Sequence, residues 1–274
     1  MLSTNFKNAN QLGANYPLSD EQLRRVAPSI FAQEAHSSRS ERYAYIPTVE
    51  VLSKLRNEGF QPFFVAQSRT RVEGKREFTK HLLRLRHVSA KNDKGEAHEV
   101  IMINSHDGSS SYQLMSGVFR FVCMNGMVCG ETFEDFRIMH TGKIVDQVID
   151  ASYQILEQSQ QIAGAIDGMK ALQLSAPEQT IFAEAAVALR YPDAEQPPVT
   201  PNQMLRSRRS EDQGPDLWRT FNRVQENAIR GGLNGAAAHG RRAKTRTVEG
   251  IDQSTSLNRA LWMVAEKMRE LKAA

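Results

Sequence analysis

Between Pro47 and Glu58 the apolar residues Val51, Leu52 and Leu55 recur on one face while Glu50, Lys54 and Arg56 fall elsewhere. Pro47 suits a first helical turn and Gly59 a stop, so the pattern predicts a short amphipathic helix. The period then shortens. Phe60 to Ser68, Thr79 to Ser89 and Glu99 to Asn104 have strand character, broken by the turn-like "EGKRE" and "KNDKGE". A meander of three or four antiparallel strands follows. Tyr112 to Cys123 fits either a helix or a buried strand, because a continuous apolar run has no diagnostic period.

Further along, Val148, Ile155, Ile162 and Met169 recur every seven residues beside Ile144 and Ile166. With Thr141 as a cap, this predicts one long core-facing helix over 141–170, since a coiled-coil seam needs two apolar positions per heptad. A shorter helix reaches Arg190. Residues 191–216 hold five prolines and many charges, predicting a linker or mobile loop. Asp216 then caps a helix that buries Leu217, Phe221, Val224 and Ala228 and stops at Gly231-Gly232; Leu257, Leu261, Val264, Met268 and Leu271 mark a last helix. The first forty residues are polar apart from a helical candidate at Ser19 to Val26, and read as a loosely held arm. The fold class is α+β, an antiparallel β-meander flanked by helices with a mainly helical C-terminal region. Its parts are an arm (1–40), a core with the long helix (41–190), the Pro-rich linker (191–216) and a basic helical region (217–274).

The chain has 274 residues, 40% of them apolar and 24% charged, the balance of a folded protein. Lys plus Arg number 35 against 31 Asp plus Glu, so net charge alone says little and its distribution decides. No apolar run approaches the ~20 residues of a membrane span and no secretory leader is visible, which predicts a cytoplasmic protein. Cys123 and Cys129 are spaced unlike a zinc knuckle and read as structural.

The charges are not spread evenly. Residues 68–87 hold seven cations, Arg69, Arg71, Lys75, Arg76, Lys80, Arg84 and Arg86, with two glutamates. In "LLRLRH" a strand would turn Leu83 and Leu85 inward and present Arg84 and Arg86 on a basic surface. A second group, Arg219, Arg223, Arg230, Arg241, Arg242, Lys244 and Arg246, is met by one acid, Glu226. Positions 219, 223 and 230 lie within ~40° on a helix, a stripe able to follow a phosphate backbone. The same spacing lets Glu226 form intrahelical ion pairs with Arg223 and Arg230, which would make the stripe a solvated face. Of the aromatics before the first basic strand, Phe60, Phe63 and Phe64 suit the core, leaving Tyr43 and Tyr45 to stack on unpaired bases. Glu131, Glu134 and Asp135 in "ETFEDF" allow a magnesium-dependent nuclease as a rival, although a solvated turn accounts for them more simply. No phosphate loop, nucleophile elbow or dinucleotide fingerprint is present, so neither cofactor nor metal is expected.

"FRFVCMNGMVCG" (119–130), "LWRTFNRVQENAIRGGL" (217–233), "TRTVEGID" (245–252) and "LNRALW" (257–262) resemble a phage/plasmid-like family of unknown function found in prophages, plasmids and integrative elements. "RYAYIPTVEVLSKLRNEGFQP", a strand meander and "SSSYQLMSGVFRFVCMNGM" are also similar in order to Erf-type phage single-strand annealing proteins. That likeness implies rings or filaments holding single-stranded DNA in a basic groove without nucleotide chemistry. The expectation is therefore a non-enzymatic protein of a mobile element, a homo-oligomer that binds and anneals single strands in recombination. A module docking on a host protein through helix 141–170 is the other rival.

Overall fold

The structure is a computed structural model and describes residues 11–39, 45–89, 95–121, 125–129, 136–138, 144–236 and 242–273. The chain divides into two compact units, Met1–Gly126 with Phe133–Gln158, and Met127–Thr132 with Ser159–Ala274.

The first unit is built on an antiparallel sheet in the order β1 (Gln11–Gly13), β2 (Phe60–Gln67), β3 (His81–His87), β4 (Glu96–Asn104), β5 (Tyr112–Arg120) and β6 (Asn125–Val128). A further strand, β7 (Phe136–Ile138), also pairs with β5. The expected meander is there, and Tyr112 onward resolves as a strand. Nearly all of β5 is buried on both faces, which removed the alternation that would have identified it. Pro62 is tolerated in β2 because β1 pairs only with Phe64 to Ala66, leaving Pro62 at an edge beside a bulge. Helices α2 (Thr48–Asn57) and α3 (Ile144–Glu157) cover one face, burying Val51, Leu52, Leu55, Val148 and Ile155 against Phe60, Val65, Leu83, Leu85, Val100, Met102 and Leu114.

Residues 11–39 are no loose arm. β1 extends the sheet, and α1 (Asp20–Val26) starts on a capping box in which Ser19 and Gln22 satisfy each other's backbone donors. Leu18, Leu23, Val26 and Ile30 sit in the core. The polarity that suggested an arm belongs to caps and turns around four well-spaced apolar anchors.

The second unit is helical, with α4 (Ser159–Ala171), α5 (Ala176–Arg190), α6 (Pro201–Met204), α7 (Leu217–Arg230) and α8 (Ile251–Ala273), plus a hairpin of β8 (Asn234–Ala236) and β9 (Arg242–Lys244). The single helix predicted over 141–170 is two, broken at Gln158. Ile144, Val148 and Ile155 face the first unit's core, whereas Ile162, Ile166 and Met169 are buried in the second. A stripe that looked continuous serves two cores.

α7 is the hub, packed against α4, α5, α6 and α8. Trp218 stacks on Phe221 at 5.6 Å, and Trp262 from α8 meets both edge-on at 6.4 and 5.9 Å. The predicted apolar side of α7 is buried as expected, but α8 turns Leu257, Leu261, Trp262 and Ala265 inward and leaves Leu271 exposed. Residues 191–216 are no linker either. Val199, Met204, Asp212 and Asp216 are buried, Pro201 opens α6, and Asn227 Nδ2 donates to the carbonyls of Met204 and Arg206 at 2.8 Å. The prolines fix an ordered strap instead of releasing one.

Candidate nucleic-acid interface

The β3 arginines are placed differently from the sequence reading. Arg84 and Arg86 are only 8% and 5% exposed, and both grip the fully buried Glu99 of β4, Arg84 Nη1 at 3.1 Å and Arg86 Nε at 2.9 Å. The Arg86 guanidinium stacks 4.3 Å from the Phe63 ring centre and 4.2 Å from that of Phe119. Arg84 lies so close to the backbone of β6 that a Cβ on Gly126 would stand 2.1 Å from its Nη1. The two arginines are therefore structural, not the lining of a groove. Their sheet face also carries Ile101, Ile103, Met115 and Phe119, all buried, so alternation of Leu with Arg did not separate core from solvent.

Tyr45 is likewise engaged, its hydroxyl donating to the Ala32 carbonyl and its ring lying 5.0 Å from that of His106. It is no free stacking platform; Tyr43 lies outside the described residues. Beside it runs a buried polar chain that the sequence did not announce. Asn104 Nδ2 donates to Thr48 Oγ1 at 2.9 Å, Thr48 Oγ1 lies 2.9 Å from His81 Nε2, and His81 Nδ1 lies 2.9 Å from Ser29 Oγ, which donates to Gln67 Oε1 at 2.9 Å. With Thr48 and Ser29 both oriented by these partners, the His81 proton belongs on Nδ1. Burial, assisted by His106, pushes the His81 pKa down to about 3, so the ring is neutral near pH 7. Ser29 and His81 are sealed from solvent, so this Ser–His contact ties the turn at Pro28–Phe31 to α2, β3 and β4 and offers no nucleophile to a substrate.

The connection between β2 and β3 stays at the surface. Arg69, Arg71 and Arg76 are exposed, while Lys75 and Lys80 are half-buried. Lys75 pairs with Asp107 at 3.1 Å. Arg71 and Arg76 form no ion pair among the described residues, although Glu73 and Glu77 share the loop.

In the second unit the expected arginine stripe on α7 is not an open cationic face, because Arg223 turns inward while Arg219 and Arg230 stay exposed but paired with acids. Arg223 is buried and donates to the carbonyls of Asp212 and Gly214 at 2.8 Å and to Gln179 Oε1 at 2.9 Å. Arg219 pairs with Asp216 at 2.7 Å, and Arg230 with Glu226 at 3.1 Å. The Arg230 pair is the intrahelical one that the spacing allowed; Arg209, from the strap, takes the same Glu226 oxygen at 2.7 Å. α7 therefore cannot present a continuous phosphate track.

The hairpin does the opposite. Gly235 packs against the strap so closely that a Cβ would lie 2.0 Å from the Pro198 carbonyl oxygen, and Ala236 N donates to that oxygen at 3.0 Å. With its back so fixed, β9 exposes Arg242 and Lys244, and Thr245 N, donating to Leu233 O at 2.9 Å, carries the extended chain on to the exposed Arg246. The three cations stand two residues apart, about 6.6 Å per step, on one side of the strand. Among the described residues none of the three pairs with an acid. Arg241 lies outside the described residues, as do Cys123, Glu131, Glu134 and Asp135. Cys129 is a buried thiol. Among the described residues no three His, Cys, Asp or Glu side chains converge to hold a metal ion, and no helix is long and apolar enough to cross a membrane.

These features define an α+β protein with an exposed basic hairpin and no recognisable catalytic constellation among the described residues. The chain belongs to the family described as "Domain of unknown function (DUF932)", which matches residues 35–262. It is 48% identical over 267 residues to the UPF0380 proteins YafZ and YfjQ of Escherichia coli (strain K12), with 97% of each chain covered in both cases. No solved structure matches it.

Proposed function

We propose that the protein is a non-enzymatic DNA-binding protein of a mobile genetic element, acting in the cytoplasm as a homo-oligomer that binds single strands and promotes their annealing in recombination. The observation that carries this reading is the row Arg242, Lys244 and Arg246, three exposed cations on one extended segment without acid partners among the described residues. Such a row suits the regularly repeated negative charge of a nucleic-acid backbone. Arg71 and Arg76, likewise without acid partners there, supply a second pair on the β2–β3 connection. Binding through phosphates leaves base edges free, the condition that annealing of complementary strands requires.

The test is the rate at which two complementary labelled strands anneal with and without the protein, alongside its affinity for single-stranded and duplex DNA. Acceleration together with a single-strand preference is expected. Equal affinity for both forms, with no acceleration, would remove annealing and leave general polyanion binding. No affinity for either at low salt would remove the whole reading.

A further inference from the structure

The end of α7 gathers arginines that the protein holds in place without neutralising. Gly231 closes the helix at φ +62°, and a Cβ there would lie 2.6 Å from the Arg246 carbonyl oxygen, so the 245–246 backbone runs directly over the turn. Arg208, from the strap, donates through Nε to Asn227 Oδ1 at 2.7 Å and through Nη2 to the Gly231 carbonyl. Arg190, the last residue of α5, donates through Nε to the Ala228 carbonyl at 3.1 Å and through Nη2 to the Arg246 carbonyl at 3.2 Å. Segments distant in sequence thus fix the Arg190 and Arg208 guanidinium groups at one glycine, beside the backbone of Arg246, whose exposed side chain bonds to none of the described residues.

The acceptors are what matter. A guanidinium bonded to a carboxylate is half of a neutral pair, whereas one bonded to carbonyl or amide oxygens keeps its full charge and is still fixed in direction. Among the described residues Arg190, Arg208 and Arg246 bond to no carboxylate. Glu226 acts on Arg208 electrostatically, but Arg209 and Arg230 already bond to its oxygen. Burial lowers the basicity of Arg208, and the charges of Arg230 and Arg209 add to that effect against the pull of Glu226. An arriving anion would relieve this crowding of like charge.

We propose that Arg190, Arg208 and Arg246 form a phosphate seat at the Gly231 turn, into which the cationic row of β9 leads a nucleic-acid backbone. This rests on the nucleic-acid reading above and specifies where one phosphate is gripped by the oriented donors of Arg190 and Arg208, while Arg246, like Arg242 and Lys244, acts as a point charge. Charge density along the chain does not reveal the seat, because Arg190 and Arg208 lie outside both basic clusters.

The test uses the full chain and a labelled oligothymidylate followed by fluorescence anisotropy at two salt concentrations, with melting in the presence of inorganic pyrophosphate as an independent readout. Arg246→Glu is the first variant, since its side chain bonds to none of the described residues; Arg208→Gln, checked for folding by its melting curve, is the second. Each is expected to weaken oligonucleotide binding about tenfold or more. Each should flatten the slope of log affinity against log salt by about 0.7 for every phosphate that is no longer bound, and abolish any pyrophosphate-induced rise in melting temperature. If both variants bind like the parent while Arg242→Gln with Lys244→Gln loses affinity, the seat is wrong and the nucleic-acid reading survives. If the parent binds no oligonucleotide yet pyrophosphate raises its melting temperature through Arg246, the seat stands and its ligand is another phosphate. With neither response, both proposals fall.

Discussion

Two stretches of this protein alternate cations with small or apolar residues, and their fates are opposite. In β3, Arg84 and Arg86 lie inside the molecule, gripping Glu99, with Arg86 stacked among phenylalanines. In and just after β9, Arg242, Lys244 and Arg246 stand in solvent, with no acid partner among the described residues. The local pattern is the same because alternation reports only that a segment is extended. What differs lies elsewhere in the chain. β3 is a central strand with a carboxylate on its neighbour and a second apolar face around it, whereas β9 belongs to a two-stranded hairpin whose back rests on Pro198.

The largest effect expected from this contrast comes from Glu99. Replacing it with Gln removes the carboxylate that two buried guanidinium groups share, at a cost of about 3–5 kcal/mol, measurable by chemical denaturation. A change under about 1 kcal/mol would show that the β3 arginines reach water after all. Changing Arg84 and Arg86 to Ala is expected to destabilise the first unit, not merely to weaken binding.

Next comes the buried histidine at the start of β3. The folded pKa of His81, about 3, is below its unfolded value near 6.5, so the unfolded chain takes up the proton first as pH falls. Stability is full above about pH 6.5 and declines below it until the pH nears 3. Denaturation at pH 7 and pH 5 should differ by about 2 kcal/mol from this group, a difference removed in His81→Gln once its own lower stability is taken as the reference. An unchanged difference in that variant would mean that other groups set the acid sensitivity.

Gly231→Ala follows, at about 1–3 kcal/mol or more, because φ +62° and the Arg246 carbonyl both exclude a side chain; a melting temperature equal to the parent's would contradict that packing. The smallest effect on stability belongs to the hairpin. Changing Arg242, Lys244 and Arg246 together to Gln should alter stability by no more than about 0.5 kcal/mol per site, as for other surface positions. A larger loss would move β9 into the same class as β3.

The elements legible in advance were those whose apolar residues keep to one helical face. Val51, Leu52 and Leu55 located α2, and Leu217, Phe221, Val224 and Ala228 located the apolar side of α7, because helical periodicity survives wherever polar residues occupy the other side, even where, as in α7, that side is buried too. The misreadings share a cause. Around Leu18 to Ile30 and from Val199 to Asp216, a few anchors and satisfied backbone groups hold chain whose average composition is polar. Arg84, Arg86 and Arg223 look like surface residues because a lone sequence pairs no arginine with its distant partner: Glu99 is 13 residues from Arg86, and Gln179 is 44 from Arg223. The surviving part of the candidate site, Arg242 to Arg246 with Arg71 and Arg76, was legible as charge. What was not legible was which charges stay unpaired.

That distinction is open to one direct measurement: the salt dependence of single-stranded DNA binding by the parent and by the variant with Arg242, Lys244 and Arg246 changed to Gln. The parent is expected to bind with log affinity falling steeply against log salt. The variant, folded like the parent, should bind far more weakly, with a slope flatter by about 2, from three phosphates at about 0.7 each. Identical affinities and slopes for the two proteins would contradict the role assigned to the hairpin.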